Sequence, residues 1–289
     1  MAEPRGIALT IGLNRVFKPA YKGWPGVLNA SERDAYAMAA LARGAGYEVW
    51  TLMTPEATRS EVLDYIAAAA DRLKDGDIFL LSFSGHGAQK DNADGGDPDD
   101  GDFDEAWCLY DGLLLDDEIH AALTKFSTGV RIVVISDSCF SGTVVRYALQ
   151  LSTAPSPVVL PSQPVADARI PPGISLRTRF LPPPVMERIV DAYGPRYRAI
   201  LDSLPKKREF TADLLLLAAC REDRRAHEDV ENGMFTSILL RVWNGGDFQG
   251  NYQTFFRDIS DRMPNWQKPV AFPGADVGIL LSQRPFSIR

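Results

Sequence analysis

The 289-residue chain predicts an α/β fold, a mainly parallel β-sheet flanked by helices on both faces. Three observations lead there. Apolar runs of strand length recur along the chain. Stretches with helical spacing of apolar residues separate them. The strand runs are apolar at consecutive positions, as expected of strands covered on both sides. With 45% hydrophobic and 24% charged residues, the chain can bury a core, which excludes global disorder.

Gly6 to Leu13 (GIALTIGL) reads as the first buried strand. Ser31 to Arg43 has helical spacing and stops at Gly44 and Gly46. Tyr47 to Leu52 is the second strand. Thr58 and Glu61 form a capping-box pattern that opens a helix through about Leu73. Asp77 to Phe83 is the third strand, followed by SGHG. An acidic loop covers about Gln89 to Glu105, and Trp107 to Tyr110 is a short strand. Asp116 caps a helix through about Phe126, and Arg131 to Ser136 is the fourth strand, followed by DSCFSG. From Leu151 to about Thr211 proline is dense, with a helical stretch near Val185 to Leu204; this reads as a connecting insertion, partly ordered at best. Asp213 to Ala219 is a further strand. Met234 to Trp243 and Tyr252 to Met263 are helical, and Asp276 to Leu281 is expected to close the sheet.

The net charge of −7 is unevenly spread. Asp91 to Glu118 holds twelve Asp or Glu and no Lys or Arg, which leaves the rest of the chain at +5. That is not the basic stripe of a nucleic-acid binder; it points to a cation or a basic side chain as something the protein holds. No apolar run reaches the roughly 18 residues of a membrane span, and no secretory signal is visible at the start. Three cysteines make no disulfide framework, and three histidines show no zinc spacing with them. A cytoplasmic location with reduced thiols is expected. Cys108 and Cys220 read as packing residues, His120 as a solvated helix residue, and His227, within REDRRAHED, as part of an exposed charged loop.

Two loops carry chemistry. His86 lies three residues past the run ending at Phe83, and Cys139 three past the run ending at Ser136. In open parallel sheets ligands gather at the carboxyl ends of strands, so neighbouring strands would bring imidazole and thiol to one rim. A Cys–His pair activates a sulfur nucleophile. Gly85, Gly87 and Gly142 allow sharp turns and close approach of substrate. The backbone N–H groups of Gly87 and Cys139 are placed to hold a developing oxyanion.

The segments Phe83-Ser84-Gly85-His86-Gly87 and Asp137-Ser138-Cys139-Phe140-Ser141-Gly142 resemble the paired signatures of caspase-like cysteine peptidases. The branch is that of the metacaspases and their prokaryotic relatives, the orthocaspases. The His-to-Cys separation is 53 residues, and caspases place the histidine about 50 residues upstream. The caspase QAC-x-G motif is absent; DSCFSG is the metacaspase form. The resemblance covers about Ile7 to Leu149 and resumes at about Leu214 to Leu281. It implies a caspase-like fold with a large-subunit-like part (1–150), a Pro-rich linker (151–211) and a small-subunit-like part (212–289), together one catalytic domain.

The resemblance implies that Cys139 attacks the scissile carbonyl, that His86 passes the proton to the leaving amine, and that no third carboxylate is required. Asp34, Ser84 and Asp137 match an acidic primary pocket, which implies cleavage after Arg or Lys in protein or peptide substrates. Charge distribution and hydropathy already argue for no nucleic-acid or membrane partner, and the resemblance implies a monomer. Many metacaspases bind calcium; Asp104, Asp116 and Asp117 are the best-matching ligands here. Arg146 stands where calcium-dependent members often have an Asp, so no cofactor is required and calcium is disfavoured. The family often cuts itself after basic residues near the junction, and Arg177, Arg179, Lys206, Lys207 and Arg208 lie there, in a segment expected to be exposed. A non-catalytic caspase-like scaffold and a calcium-responsive interaction module are the competing readings.

Overall fold

The computed structural model describes residues 3–89, 105–139, 177–205, 210–220, 226–228, 232–274 and 278–289. In chain order the strands are β1 (Gly6–Gly12), β2 (Glu48–Met53), β3 (Ile78–Ser84), β4 (Gly87–Gln89), β5 (Glu105–Leu109), β6 (Gly112–Leu115), β7 (Arg131–Asp137), β8 (Arg177–Thr178), β9 (Asp213–Ala218), β10 (His227–Glu228) and β11 (Val270–Pro273). The helices are α1 (Ser31–Gly44), α2 (Arg59–Arg72), α3 (Asp116–Leu123), α4 (Pro183–Ser203), α5 (Met234–Trp243), α6 (Tyr252–Arg262) and α7 (Gly278–Ser282).

Six strands form the central sheet in the order β11-β9-β7-β3-β1-β2. All neighbours pair parallel except β11, which runs antiparallel to β9 at one edge. Side-chain alternation explains the continuous apolar runs. Ile132, Val134, Leu214 and Leu216 face one layer, with α2 and α3; Val133, Ile135, Leu215 and Leu217 face the other, with α1, α5 and α6. Each large apolar side chain buried this way contributes about 1.5–3 kcal/mol. Thr58 caps α2 as its spacing predicts, its side chain accepting from Glu61 N at 3.3 Å.

A third apolar cluster lies beside the sheet. The β4-β5-β6 antiparallel unit packs there against Tyr21 and α4 through Cys108, Leu113, Leu115, Met186, Ile189 and Tyr197. Helix α4 opens on Pro183 and Pro184, positions where a missing N–H costs nothing.

Three expectations are corrected here. The described part of Asp276 to Leu281 does not close the sheet: Val270–Pro273 does, Gly278–Ser282 is helical, and Asp276 and Val277 lie outside the described residues. A short apolar run is compatible with either state, and Pro273 is tolerated because it ends an edge strand. His120 is buried against Phe210, with ring centroids 4.7 Å apart, because α3 turns that face inward. His227 is likewise buried, edge-on to Trp266, because its backbone pairs with β8.

The site is positioned by one register. Along β3 and β7, Ser84 stands level with Asp137. The two strands therefore end at the same height, and the residues two positions further on, His86 and Cys139, emerge from adjacent strand tips.

Candidate active site

Cys139 is fully buried, and the backbone N–H of Ala226 donates to its sulfur at 3.1 Å. His86 is 5% exposed, with its ring against Trp24, centroids 4.7 Å apart. Neither ring nitrogen makes a hydrogen bond of ordinary geometry among the described residues, although the Gly26 carbonyl lies close enough to act on the ring. Burial drives the His86 pKa down to about 3. The Gly26 carbonyl acts in the opposite direction, and the positive charge of Arg179 adds to the lowering. The imidazole is therefore neutral at ordinary pH, the form that can accept a proton from a thiol. Gly87 lies directly against the Cys139 carbonyl, where any side chain would collide with it.

The chain's own segment 177–181 covers these residues. The carbonyl oxygen of Arg179 accepts from Gly87 N at 3.1 Å and from Cys139 N at 3.2 Å. These are the two donors that the sequence pairs as an oxyanion site. Before Arg179 the segment pairs as an antiparallel strand, Thr178 with His227 and Arg177 with Glu228, and Arg179 N donates to the Ala226 carbonyl at 2.9 Å. After it, Leu181 N donates to the Gly87 carbonyl at 2.8 Å. The backbone lies extended across the rim in the manner of a bound peptide.

The Arg179 side chain, fully buried, fills an acidic pocket. Its Nη2 meets Asp34 Oδ2 at 2.6 Å and Glu228 Oε2 at 3.4 Å. Its Nη1 meets Asp137 Oδ1 at 3.0 Å, the Asp137 carbonyl at 2.9 Å and Ser84 Oγ at 2.9 Å. Ser84 relays this contact by donating to Asp34 Oδ2 at 2.7 Å. Each carboxylate is held from behind by fixed donors. Gly233 N serves Asp34 at 3.0 Å, Thr236 N and Oγ1 serve Asp137 at 2.9 and 2.7 Å, and Asn29 N serves Glu228 at 2.7 Å. Burial raises the Asp34 pKa to about 6; Arg179 works against that, and repulsion by Asp137 works with it. Burial opposes the charge of Arg179, but Asp137, Asp34 and Glu228 outweigh it and hold its pKa above the ordinary value.

The structure thus gathers His86, Gly87 and Cys139 at one rim and Asp34, Ser84 and Asp137 in the hollow beside it. The same segment overturns one expectation: Arg179 does not lie on an exposed linker. Sequence reasoning missed Glu228 and Gly233. Gly233 forms the pocket floor, where a side chain would collide with Asp137 and Arg179. The segment NGMFTSILL, residues 232–240, contains Gly233 and was available as a signal for it. Nothing local marks Glu228, an acid among other charges. Of the calcium candidates, Asp104 lies outside the described residues, as do Arg146, which stands against calcium, and the linker residues Lys206, Lys207 and Arg208. Asp116 and Asp117 sit in the first turn of α3, beside Glu118, which pairs with Arg59.

Residues 5–277 match the caspase domain. The chain belongs to the caspase-domain family. Among relatives of this family, it is 33% identical over 164 residues to metacaspase-1A of Neurospora crassa, covering 50% of this chain and 34% of that protein. It is 34% identical over 84 residues to metacaspase-4 of Arabidopsis thaliana, covering 29% of this chain and 20% of that one. The matches thus span about a third of these curated relatives or less. A solved protein from Geobacter sulfurreducens shares the caspase-like fold over nearly the whole length. It has 41% identity and a TM-score of 0.81, and the match covers 98% of this chain and 99% of that one. No helix among the described residues is long and apolar enough to cross a membrane.

Proposed function

We propose that this caspase-domain chain is a cysteine endopeptidase that cleaves after basic residues through Cys139 and His86. The observation that carries the reading is the seat of Arg179. A basic side chain lies among Asp34, Asp137 and Glu228 while its own carbonyl oxygen points at two backbone N–H groups, one of them from Cys139. A nucleophile, an oxyanion site and a charge-matched pocket converge on one residue, as hydrolysis of an amide requires. Cys139 Sγ attacks the carbonyl carbon, His86 carries the thiol proton to the leaving amine, and water then releases the acid from the thioester. The Arg179–Phe180 bond is the chain's own first substrate, which supports self-processing at that position.

The test uses fluorogenic peptides ending in Arg, Lys or Asp. Wild type is expected to release dye from the Arg and Lys peptides and Cys139→Ala from none. Turnover is expected to persist under a strong chelator. Cleavage after Asp alone would overturn the pocket assignment, and calcium-rescued loss would overturn calcium independence. An unreactive wild-type thiol toward an electrophilic Arg peptide would favour the scaffold reading.

A further inference from the structure

We propose that the Arg179–Phe180 bond is opened reversibly, so that the site which cuts it also re-forms it. This rests on the peptidase reading of Cys139 and His86 and concerns the fate of the two new ends. An ordinary substrate loses its amine half to solvent once the thioester forms. Here both halves are anchored independently. On the acyl side, Arg179 is held by the acidic pocket, by Ala226, and through the strand pairing of Arg177 and Thr178. On the amine side, the new terminus would be Phe180 N. It lies one residue from Leu181, which is 1% exposed and bonded to the Gly87 carbonyl. Phe180 itself bridges Gly87. Two residues past Leu181, α4 begins, and it is fixed in the third cluster by Val185, Met186 and Ile189. Tyr197 Oη accepts from Leu113 N at 2.9 Å.

The chemistry balances in both directions. Forward, the Sγ–C bond forms, the C–N bond to Phe180 breaks, and the thiol proton passes through His86 to the amine. In reverse, the amine attacks the thioester, the Sγ–C bond breaks, and the proton returns to sulfur. Groups held in reacting geometry show effective concentrations of roughly 10⁵–10⁸ M, so a tethered amine competes with water for the thioester. When water does react, the strand pairing of Arg177 and Thr178 and the seat of Leu181 keep the Arg179 carboxylate and the Phe180 ammonium close to the site. Arg179 leaves the pocket often enough to admit other substrates, and each time it reseats the same steps run backward. Cut and intact chains should reach a fixed ratio.

Full-length wild type is incubated in water enriched in oxygen-18 and digested with a protease that spares Arg–Phe bonds. The peptide spanning residues 179 and 180 is then weighed. The expected result is a plateau of cutting short of completion, with heavy oxygen entering the uncut peptide at Arg179, and no label in Cys139→Ala. Leu181→Asp, which loosens the amine anchor, should cut to completion and lose the label. If wild type cleaves Arg peptides but its own bond goes to completion, or its uncut peptide stays unlabelled, reversibility is overturned and the peptidase reading stands. If neither its own bond nor Arg peptides are cut, the peptidase reading itself falls.

Discussion

Glu228 shows what one buried carboxylate adds. Two acids already meet the Arg179 guanidinium, yet Glu228 is drawn to within 3.4 Å of Nη2 while accepting from Asn29 N, just before α1. It thereby ties the pocket to the helix that carries Asp34. A hydrogen bond to a charged group is worth about 1.5–3 kcal/mol. Glu228→Gln is therefore expected to lower kcat/KM on an Arg peptide by roughly 10–100-fold, mostly through KM. A Lys peptide, lacking the second nitrogen of the fork, should lose less. An unchanged Arg-to-Lys ratio would remove Glu228 from the pocket's selectivity. Asp34 sets the pH response. Its pKa is raised to about 6, so it is charged above that value and takes up a proton as pH falls through it. Only the charged form attracts a guanidinium. That value includes the lowering by Arg179, which an entering Arg peptide displaces. KM for Arg peptides should therefore start to rise on acidification at or above about pH 6, and Asp34→Asn should flatten the profile while raising KM throughout.

Elements that follow local rules were legible, and those made by distant pairing were not. The runs at Gly6, Asp77 and Arg131 read as strands because both faces of β1, β3 and β7 are covered. The strand expected at Trp107 to Tyr110 is one arm of a β5-β6 hairpin, and the Gly112–Leu115 arm was not seen, although Leu109 pairs with Gly112 across the turn. The segment 177–181 and β10 were opaque for a stronger reason. Their polar residues are those of a solvated surface; Arg177 stays exposed and Thr178 half-buried, but Arg179, His227 and Glu228 are buried where the two segments pair over the rim. Helix α4 holds that arrangement in place, since Ile189 is fully buried against the hairpin unit. Ile189→Ala should cost about 2–5 kcal/mol at that contact. Hydrogen exchange should show the loss as faster opening of residues 177–203, with the central strands unaffected. Uniform loss of protection across the molecule would mean that α4 does not move separately from the sheet.

At the scale of the whole molecule, one guanidinium joins parts of the chain far apart in sequence. Asp34 comes from α1, Ser84 from β3, Asp137 from β7 and Glu228 from β10, and all converge on Arg179. The paired loops after β3 and β7 announced the candidate catalytic rim from the sequence, because each motif is contiguous. The occupant of the pocket was not announced, because its partners lie 42 to 145 positions away. Three carboxylates this deeply buried repel one another unless a cation sits among them, and removing one partner of a buried pair costs about 3–5 kcal/mol. Arg179→Ala should therefore lower Tm even though it removes no apolar core residue. The same pocket would then be free. N-acetyl-arginine amide in solution should raise the variant's Tm by binding only the folded state, and its lysine counterpart should do so less. Wild type, whose pocket is already filled, should respond weakly to either. If Arg179→Ala melts with wild type and ignores both compounds, the three acids are stable without a cation, and the pocket is not built around one.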